Sequence, residues 1–375
     1  MEIDLALIEL GVIMLTLALA GRLAQLLGVS SIPFFLLVGL GFGKGGLVEV
    51  EEALSFIEVG SSLGVIFLLL MLGLEYTPLE LRQSLRRNRG AGAVDLVLNA
   101  MPGVVAGFLL GWGVKGAFVL GGVTYVSSSG IVAKMLTDLR RLGNRETPTI
   151  LSILVMEDLV MAVFLPIIAI VLAGGSVAGG MVSAVIAVGI VVVVLVFAPY
   201  VTRPMSRVID NESPEILLIT ILGLTTLIAG LAEYVHISYA IGAFLLGIVL
   251  SGQVAEQARE MLEPLRDSFA ALFFVYFGIA VDVKDLWKTL GIALLLAGVG
   301  VGSKMATGWW AARRAGVSPV GSRRAAVALV PRGEFSIVLA GIGVAGGVNS
   351  DLGPMVVSYV LILAISGSLL ARFVK

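Results

Sequence analysis

The chain has 375 residues, 58% of them hydrophobic and only 14% charged, with a formal net charge of −1. So few charges cannot give a soluble protein of this length a polar shell, and the charge balance points to no nucleic-acid partner. Cysteine is absent and His236 is the single histidine, which excludes disulfides, thiolate metal sites and a multi-histidine metal centre.

Repeated apolar runs of about 20 residues match the hydrocarbon thickness of a bilayer. The alternation of outer-membrane barrel strands is missing. The expected fold is therefore an all-α polytopic membrane protein. Gly, Pro and charge breaks divide the chain into thirteen spans: 5–21, 32–48, 56–75, 91–112, 116–138, 149–173, 180–202, 215–233, 237–254, 267–281, 288–312, 322–347 and 353–373. The first follows Glu2 and Asp4 rather than a basic stretch, so it reads as a spanning helix and not a cleaved signal. The amphipathic stretch 251–267 reads as a connector lying at the cytoplasmic surface. His236, at the end of the ninth span, reads as an interfacial side chain with no assigned role.

Lys and Arg in short loops set orientation. One face collects Arg22, the arginines of 82–89, Lys134, the arginines of 140–145, Arg203, Arg207, Arg259, Arg266, the arginines of 313–324, Arg372 and Lys375. The other collects Lys44, Lys115, Lys284 and Lys288. The N-terminus is thus expected outside and the C-terminus in the cytoplasm of a multi-pass cell-membrane protein.

A shift of 205 residues superposes the halves. Gly73 falls on Gly278, Leu81 on Leu286, Ile32 on Ile237, and the stretch 123–132 on 328–337. Spans 1–6 then repeat as spans 8–13. They are an odd number of helices apart, so the halves are expected to be inverted, with 180–202 as the connecting helix.

Glu157 and Asp158 sit side by side in the sixth span, in "LVMEDLVMAVF". An ionised acid at the centre of a spanning helix costs roughly 2.5–3.5 kcal/mol on insertion scales, so such acids mark ion or proton sites by default. A structural salt bridge is the alternative. Successive helix residues point about 100° apart, so the two acids cannot address one spot.

"VTYVSSSGIVAK" (123–134) interrupts the fifth span, where serines, a threonine and a glycine favour local unwinding. Thr124, Ser127 and Ser128 would offer oxygen atoms to a hard cation such as Na⁺ or K⁺. A helix contact rich in small residues is the alternative. "VPRGEFSIVLAG" (330–341) interrupts the twelfth span at the matching repeat position, through Pro331 and Gly333. Arg332 and Glu334 bring opposite charges there, Arg332 pairing with Glu334, Asp95 or Glu157. Two broken helices at matched positions of inverted halves point to a midplane site. Lys304, inside span 11, needs an acid partner, with Asp158 the first candidate and Glu157 the second. Its repeat equivalent is Asn99, near intramembrane Asp95. Lys304, Arg332, Glu334 and Asp95 are read as charge-compensating or structural.

At "SSSGIVAKML", "EDLVM", "IGAFLLGIVLSG", "FFVYFGIAVD", Lys304 and "RGEFSIVLA" the chain resembles the monovalent cation:proton antiporter-2 family, which includes Kef-type potassium efflux systems. The resemblance implies a homodimer in which a core domain with two crossed broken helices moves against a dimer domain. On that plan 1–90 and 203–281 are scaffold and 91–173 and 288–375 are core. It also places the shared cation- and proton-binding aspartate at Asp158. The preceding residue is typically Asn or Gln in the family and is Glu157 here. Kef-type proteins continue into a cytoplasmic regulatory domain. This chain stops at Lys375, so regulation is expected from a further domain or a separate subunit.

The expected function is exchange of a monovalent cation, K⁺ favoured over Na⁺, for protons by alternating access, without any cofactor and without enzymatic chemistry. An organic-anion transporter on the same plan is an alternative, its substrate held by half-helix N-termini. A cation channel is another, although no filter repeat stands out.

Overall fold

The computed structural model describes residues 3–27, 30–74, 78–173, 200, 209, 213–234, 239–250 and 253–374. His236 and, apart from Tyr200, the expected connecting helix 180–202 lie outside the described residues. The described chain is helical: α1 (Ile3–Leu27), α2 (Ile32–Phe42), α3 (Leu54–Leu74), α4 (Pro78–Leu109), α5 (Gly113–Tyr125), α6 (Ser129–Asp138), α7 (Thr147–Ala173), α8 (Pro214–Tyr234), α9 (Tyr239–Val249), α10 (Gln253–Ile279), α11 (Val283–Arg314), α12 (Pro319–Ala328), α13 (Glu334–Ala345) and α14 (Leu352–Phe373). Seven of these are long and apolar enough to cross a membrane. Large apolar side chains such as Leu15, Leu19, Leu109 and Leu295 face outward. That surface is stable against acyl chains and unfavourable against water.

The helix bounds reproduce the repeat. α4 and α11 begin and end 205 residues apart, α3 and α10 end at Leu74 and Ile279, and α6 and α13 begin at Ser129 and Glu334. The turns repeat too: Gly111 and Gly316 both take the left-handed conformation, φ +74° and +78°, where the chain leaves α4 and α11. A side chain there would be strained, which explains glycine at both.

Two compact units form. One comprises Met1–Ile57, Asn88–Asp158 and Phe274–Lys375; the other comprises Glu58–Arg87 and Leu159–Phe273. The second is built on Leu70, Ile221, Ala243, Ala258 and Leu262. Here the structure corrects the reading of 251–267 as a separate connector. From Gln253 on, the stretch is the first half of the continuous helix α10, because Val254, Ala255, Ala258 and Leu262 fall on one face and are buried in that core. Arg259 also donates to the Leu74 carbonyl at the end of α3 (2.6 Å).

In the first unit α11 packs against α12 and α14, α13 against α5 and α14, and α12 against α6. The fifth and twelfth expected spans are thus each two half-helices. The first half of each lies on the second half of the other, the arrangement of two broken helices crossing antiparallel. An apolar cluster of Val132, Leu136, Ile150, Leu154, Ala312, Ala325 and Leu329 locks α6, α7, α11 and α12 together on one side of the crossing.

Candidate functional site

The two breaks lie against each other. Val126–Ser128 leave the helix between α5 and α6, and Leu329–Gly333 between α12 and α13. Ser128 N donates to the Pro331 carbonyl (2.9 Å), and Ser127 Oγ to the Leu329 carbonyl (2.9 Å). Gly333 is glycine because a methyl group there would sit 2.6 Å from Ser128 Oγ.

Four half-helix ends meet here, and each needs charge compensation. Arg332 serves the two C-terminal ends. Its guanidinium is fully buried and donates to the carbonyls of Leu329 (3.2 Å) and Val330 (3.1 Å) after α12 and of Thr124 (2.9 Å) in the last turn of α5. None of the acids expected to pair with it takes one of these hydrogen bonds. The orphan carbonyls of two helix ends form a fork that a planar guanidinium fits. At the N-terminal ends the charges are acidic. Ser127 N donates to Glu157 Oε2, just before α6, and Glu334 occupies the first turn of α13, accepting from Ser128 Oγ (2.7 Å).

Lys304 corrects the sequence reading in a second way. Its ammonium donates to Glu157 Oε1 (2.7 Å) and to Asp95 Oδ1 and Oδ2 (2.9 and 3.1 Å), and it lies 5.3 Å from the Tyr125 ring centroid. Asp158, the first candidate partner, is not among these. The reason is the angular offset of adjacent helix residues: when Glu157 faces α11, Asp158 cannot. An ammonium has three protons, and three acid oxygens now take them. Lys304, Asp95 and Glu157 are all buried.

Asn99 extends this network. It donates to Asp95 Oδ1 (2.9 Å) and Thr307 Oγ1 (3.2 Å), and accepts from Ser303 Oγ (2.8 Å), tying α4 to α11. Its repeat equivalence to Lys304 was the sequence signal for it; Ser303 and Thr307 gave none. Thr124, expected near the ion, gives its hydroxyl to the Asn99 and Leu120 carbonyls (2.8 and 3.0 Å).

Asp158 is buried on α7 beside the first break. Its Oδ2 accepts from Ser129 Oγ at 2.8 Å, in the first turn of α6. The serine run flagged this turn, but Ser127 and Ser128 were singled out and Ser129 was not. Of the triplet, Ser129 is the one joined to Asp158.

A carboxylate beside an unwound segment, with hydroxyls and backbone dipoles around it, can hold a proton or a small cation and needs no covalent chemistry. Comparison with known proteins identifies the family. The transmembrane sodium/hydrogen exchanger family matches residues 12–375. The chain is 34% identical to the K⁺/H⁺ antiporter subunit KhtU of Bacillus subtilis, over 97% of this chain and 92% of that protein. It is 28% identical to the ammonium/H⁺ antiporter subunit AmhT of Alkalihalophilus pseudofirmus, with the same two coverages. It is 30% identical to the glutathione-regulated potassium-efflux protein KefC of Salmonella paratyphi B, over 90% of this chain and 54% of that longer protein. The sodium proton antiporter MjNhaP1 of Methanocaldococcus jannaschii shares the fold, with a TM-score of 0.71 at 17% identity over 100% of this chain and 99% of that one. The chain belongs to the sodium/hydrogen exchanger family. It is a multi-pass membrane cation/proton antiporter, not an enzyme; the transported ions are substrates, and the organic-anion and channel alternatives are set aside.

Proposed function

We propose that this antiporter exchanges K⁺ for protons at one shared carboxylate, Asp158. The observation that carries the reading is the division of labour between adjacent acids: Glu157 is bound to Lys304 and Ser127, while Asp158 meets the first turn of α6 through Ser129. Proton and cation compete for Asp158, and competition alone couples their fluxes. Hydroxyl oxygen from Ser129, and from Ser127 and Ser128 next to it, replaces part of the ion's water shell. Glu157 stays paired through the cycle, so one cation leaves for each proton and the exchange is electroneutral.

Transport follows alternating access, with the crossed half-helices moving as part of a core (91–173 and 288–375) against a scaffold (1–90 and 203–281), linked by 180–202. An ionised Asp158 crosses the apolar barrier poorly, and the occupied one crosses readily. The working form is a homodimer in the cell membrane, N-terminus outside and C-terminus cytoplasmic. Two relatives are antiporter subunits by name, which supports a separate regulatory partner.

K⁺ is favoured because KhtU and KefC are potassium systems. Ammonium is the specific rival, through AmhT. Purified protein in liposomes with an imposed pH gradient decides the ion. K⁺ and Rb⁺ should dissipate the gradient at lower concentration than Na⁺ or Li⁺. Dissipation by Na⁺ but not K⁺, or by NH₄⁺ at far lower concentration than K⁺, would reject the K⁺ assignment.

A further inference from the structure

One charged side chain at the crossing has no role in the exchange just described. Glu334 is half-buried in the first turn of α13, and its carboxylate accepts from Ser128 Oγ (2.7 Å). Arg332, two residues earlier, turns away from it to the carbonyls of Thr124, Leu329 and Val330. Glu334 forms no ion pair with any Lys or Arg among the described residues. A carboxylate in an apolar interior without a fixed counter-cation is expensive, and such residues mark ion pathways.

Its surroundings tie it to Asp158. Ser128 is the last residue of the break and Ser129 the first residue of α6. The first gives its hydroxyl to Glu334 on α13, and the second gives its hydroxyl to Asp158 on α7 (2.8 Å). The start of α6 therefore carries two adjacent hydroxyls addressed to two different acids. It also passes close to the Glu334 carboxylate: a methyl group added at Gly130 would be in ordinary contact with Glu334 Oε1, at 3.8 Å. Glu334 is also the repeat equivalent of Ser129, the first residue of α13 matching the first of α6. Each half-helix start thus has a carboxylate, supplied by α7 to α6 and by α13 itself.

We propose that Glu334 is a specificity-determining residue, the carboxylate that receives the dehydrating monovalent cation before Asp158 and passes it across the Ser128 and Ser129 oxygens. The inference rests on the reading of Asp158 as the shared carboxylate. Glu334 supplies fixed negative charge, so the cation feels two anionic walls separated by neutral oxygens. The spacing of those walls selects among ion sizes.

The test compares wild type with Glu334→Gln and Glu334→Asp in liposomes, measuring pH-gradient dissipation over a concentration series of K⁺, Na⁺ and NH₄⁺. The amide oxygen of glutamine still accepts from Ser128, so the change removes charge more than contact. Glu334→Gln should raise the apparent KM for the preferred cation about tenfold, put most of the loss in KM rather than Vmax, and flatten the preference among the three ions. Glu334→Asp should fall between. A lowered Vmax with wild-type KM and wild-type ion preference would assign Glu334 to the scaffold and overturn the inference; so would unchanged kinetics. If Glu334→Gln does not yield folded protein, Ser128→Ala answers in its place: it should raise KM about threefold, and an unchanged KM overturns the inference. Asp158→Asn, run alongside, separates the two claims. An active Asp158→Asn sinks the shared-carboxylate reading, whereas an inactive Asp158→Asn with unaltered Glu334→Gln kinetics sinks only this one.

Discussion

Lys304 on α11 and Glu157 on α7 meet through a 2.7 Å ion pair from which water is excluded, and Asp95 on α4 holds the other side of the same ammonium. Three helices are therefore pinned at one point beside the crossing. Burying such charges is costly, and removing one partner leaves the others uncompensated, which typically costs 3–5 kcal/mol. Lys304→Ala should destabilise the protein by about that amount. Thermal unfolding in detergent checks this. Asp95→Asn should cost less, because Glu157 still balances the ammonium and an amide can still accept its hydrogen bond. Equal melting temperatures for wild type and Lys304→Ala would show that the triad contributes nothing to the fold.

Arg332 bridges the two half-helix C-terminal ends through three carbonyls. Arg332→Lys keeps the charge but loses the fork, so it should not restore wild-type stability. Arg332→Ala should lose about 3 kcal/mol or more, since several buried carbonyls then lack a donor. Melting curves of the two variants, with Arg332→Lys between wild type and Arg332→Ala, are the expected outcome. A lysine variant as stable as wild type would mean that charge alone is needed.

Gly278 on α10 and Gly39 on α2 permit a backbone-to-backbone crossing: a methyl group on Gly278 would lie 2.6 Å from the Leu36 carbonyl oxygen and 2.9 Å from Gly39 Cα. Backbone cannot rotate aside as a side chain can. Gly278→Ala should therefore destabilise by about 1–3 kcal/mol, read as a lowered melting temperature. Gly291, with nothing within 4 Å of its added methyl group, is the control, and Gly291→Ala should be neutral or slightly stabilising.

Glu157 carries a prediction about stoichiometry. Its carboxylate is engaged by Lys304 and by Ser127 N and Oγ. If it stays ionised and paired, an imposed membrane potential should leave the exchange rate unchanged, in wild type and in Glu157→Gln alike. A rate that follows the potential in wild type but not in Glu157→Gln would show that Glu157 cycles and a second proton moves.

Much of this architecture was legible from the chain. Apolar runs, two small-residue breaks and the constant offset follow from local chemistry that any bilayer imposes. α10 was misread because 251–267 carries charges on one face, while its buried face shows only in three dimensions, through Ala258 and Leu262. Of the two candidate partners of Lys304, the second, Glu157, is the one observed, and the order is reversed for a similar reason. Sequence gives the angle between Glu157 and Asp158 on α7, but not the direction α7 turns relative to α11. Asp95 joined the triad because α4 packs there, a long-range fact with no local signature. Ser129 was overlooked beside Ser127 and Ser128 because a serine triplet does not say which hydroxyl faces α7.

The most direct measurement is cation-driven dissipation of a pH gradient by Asp158→Asn in liposomes, with wild type and Glu157→Gln reconstituted in parallel. Complete loss of K⁺-dependent proton movement in Asp158→Asn, with the fold intact by melting temperature and activity retained in Glu157→Gln, is the expected result. Persistent exchange in Asp158→Asn, or loss only in Glu157→Gln, would show that the shared carboxylate lies elsewhere.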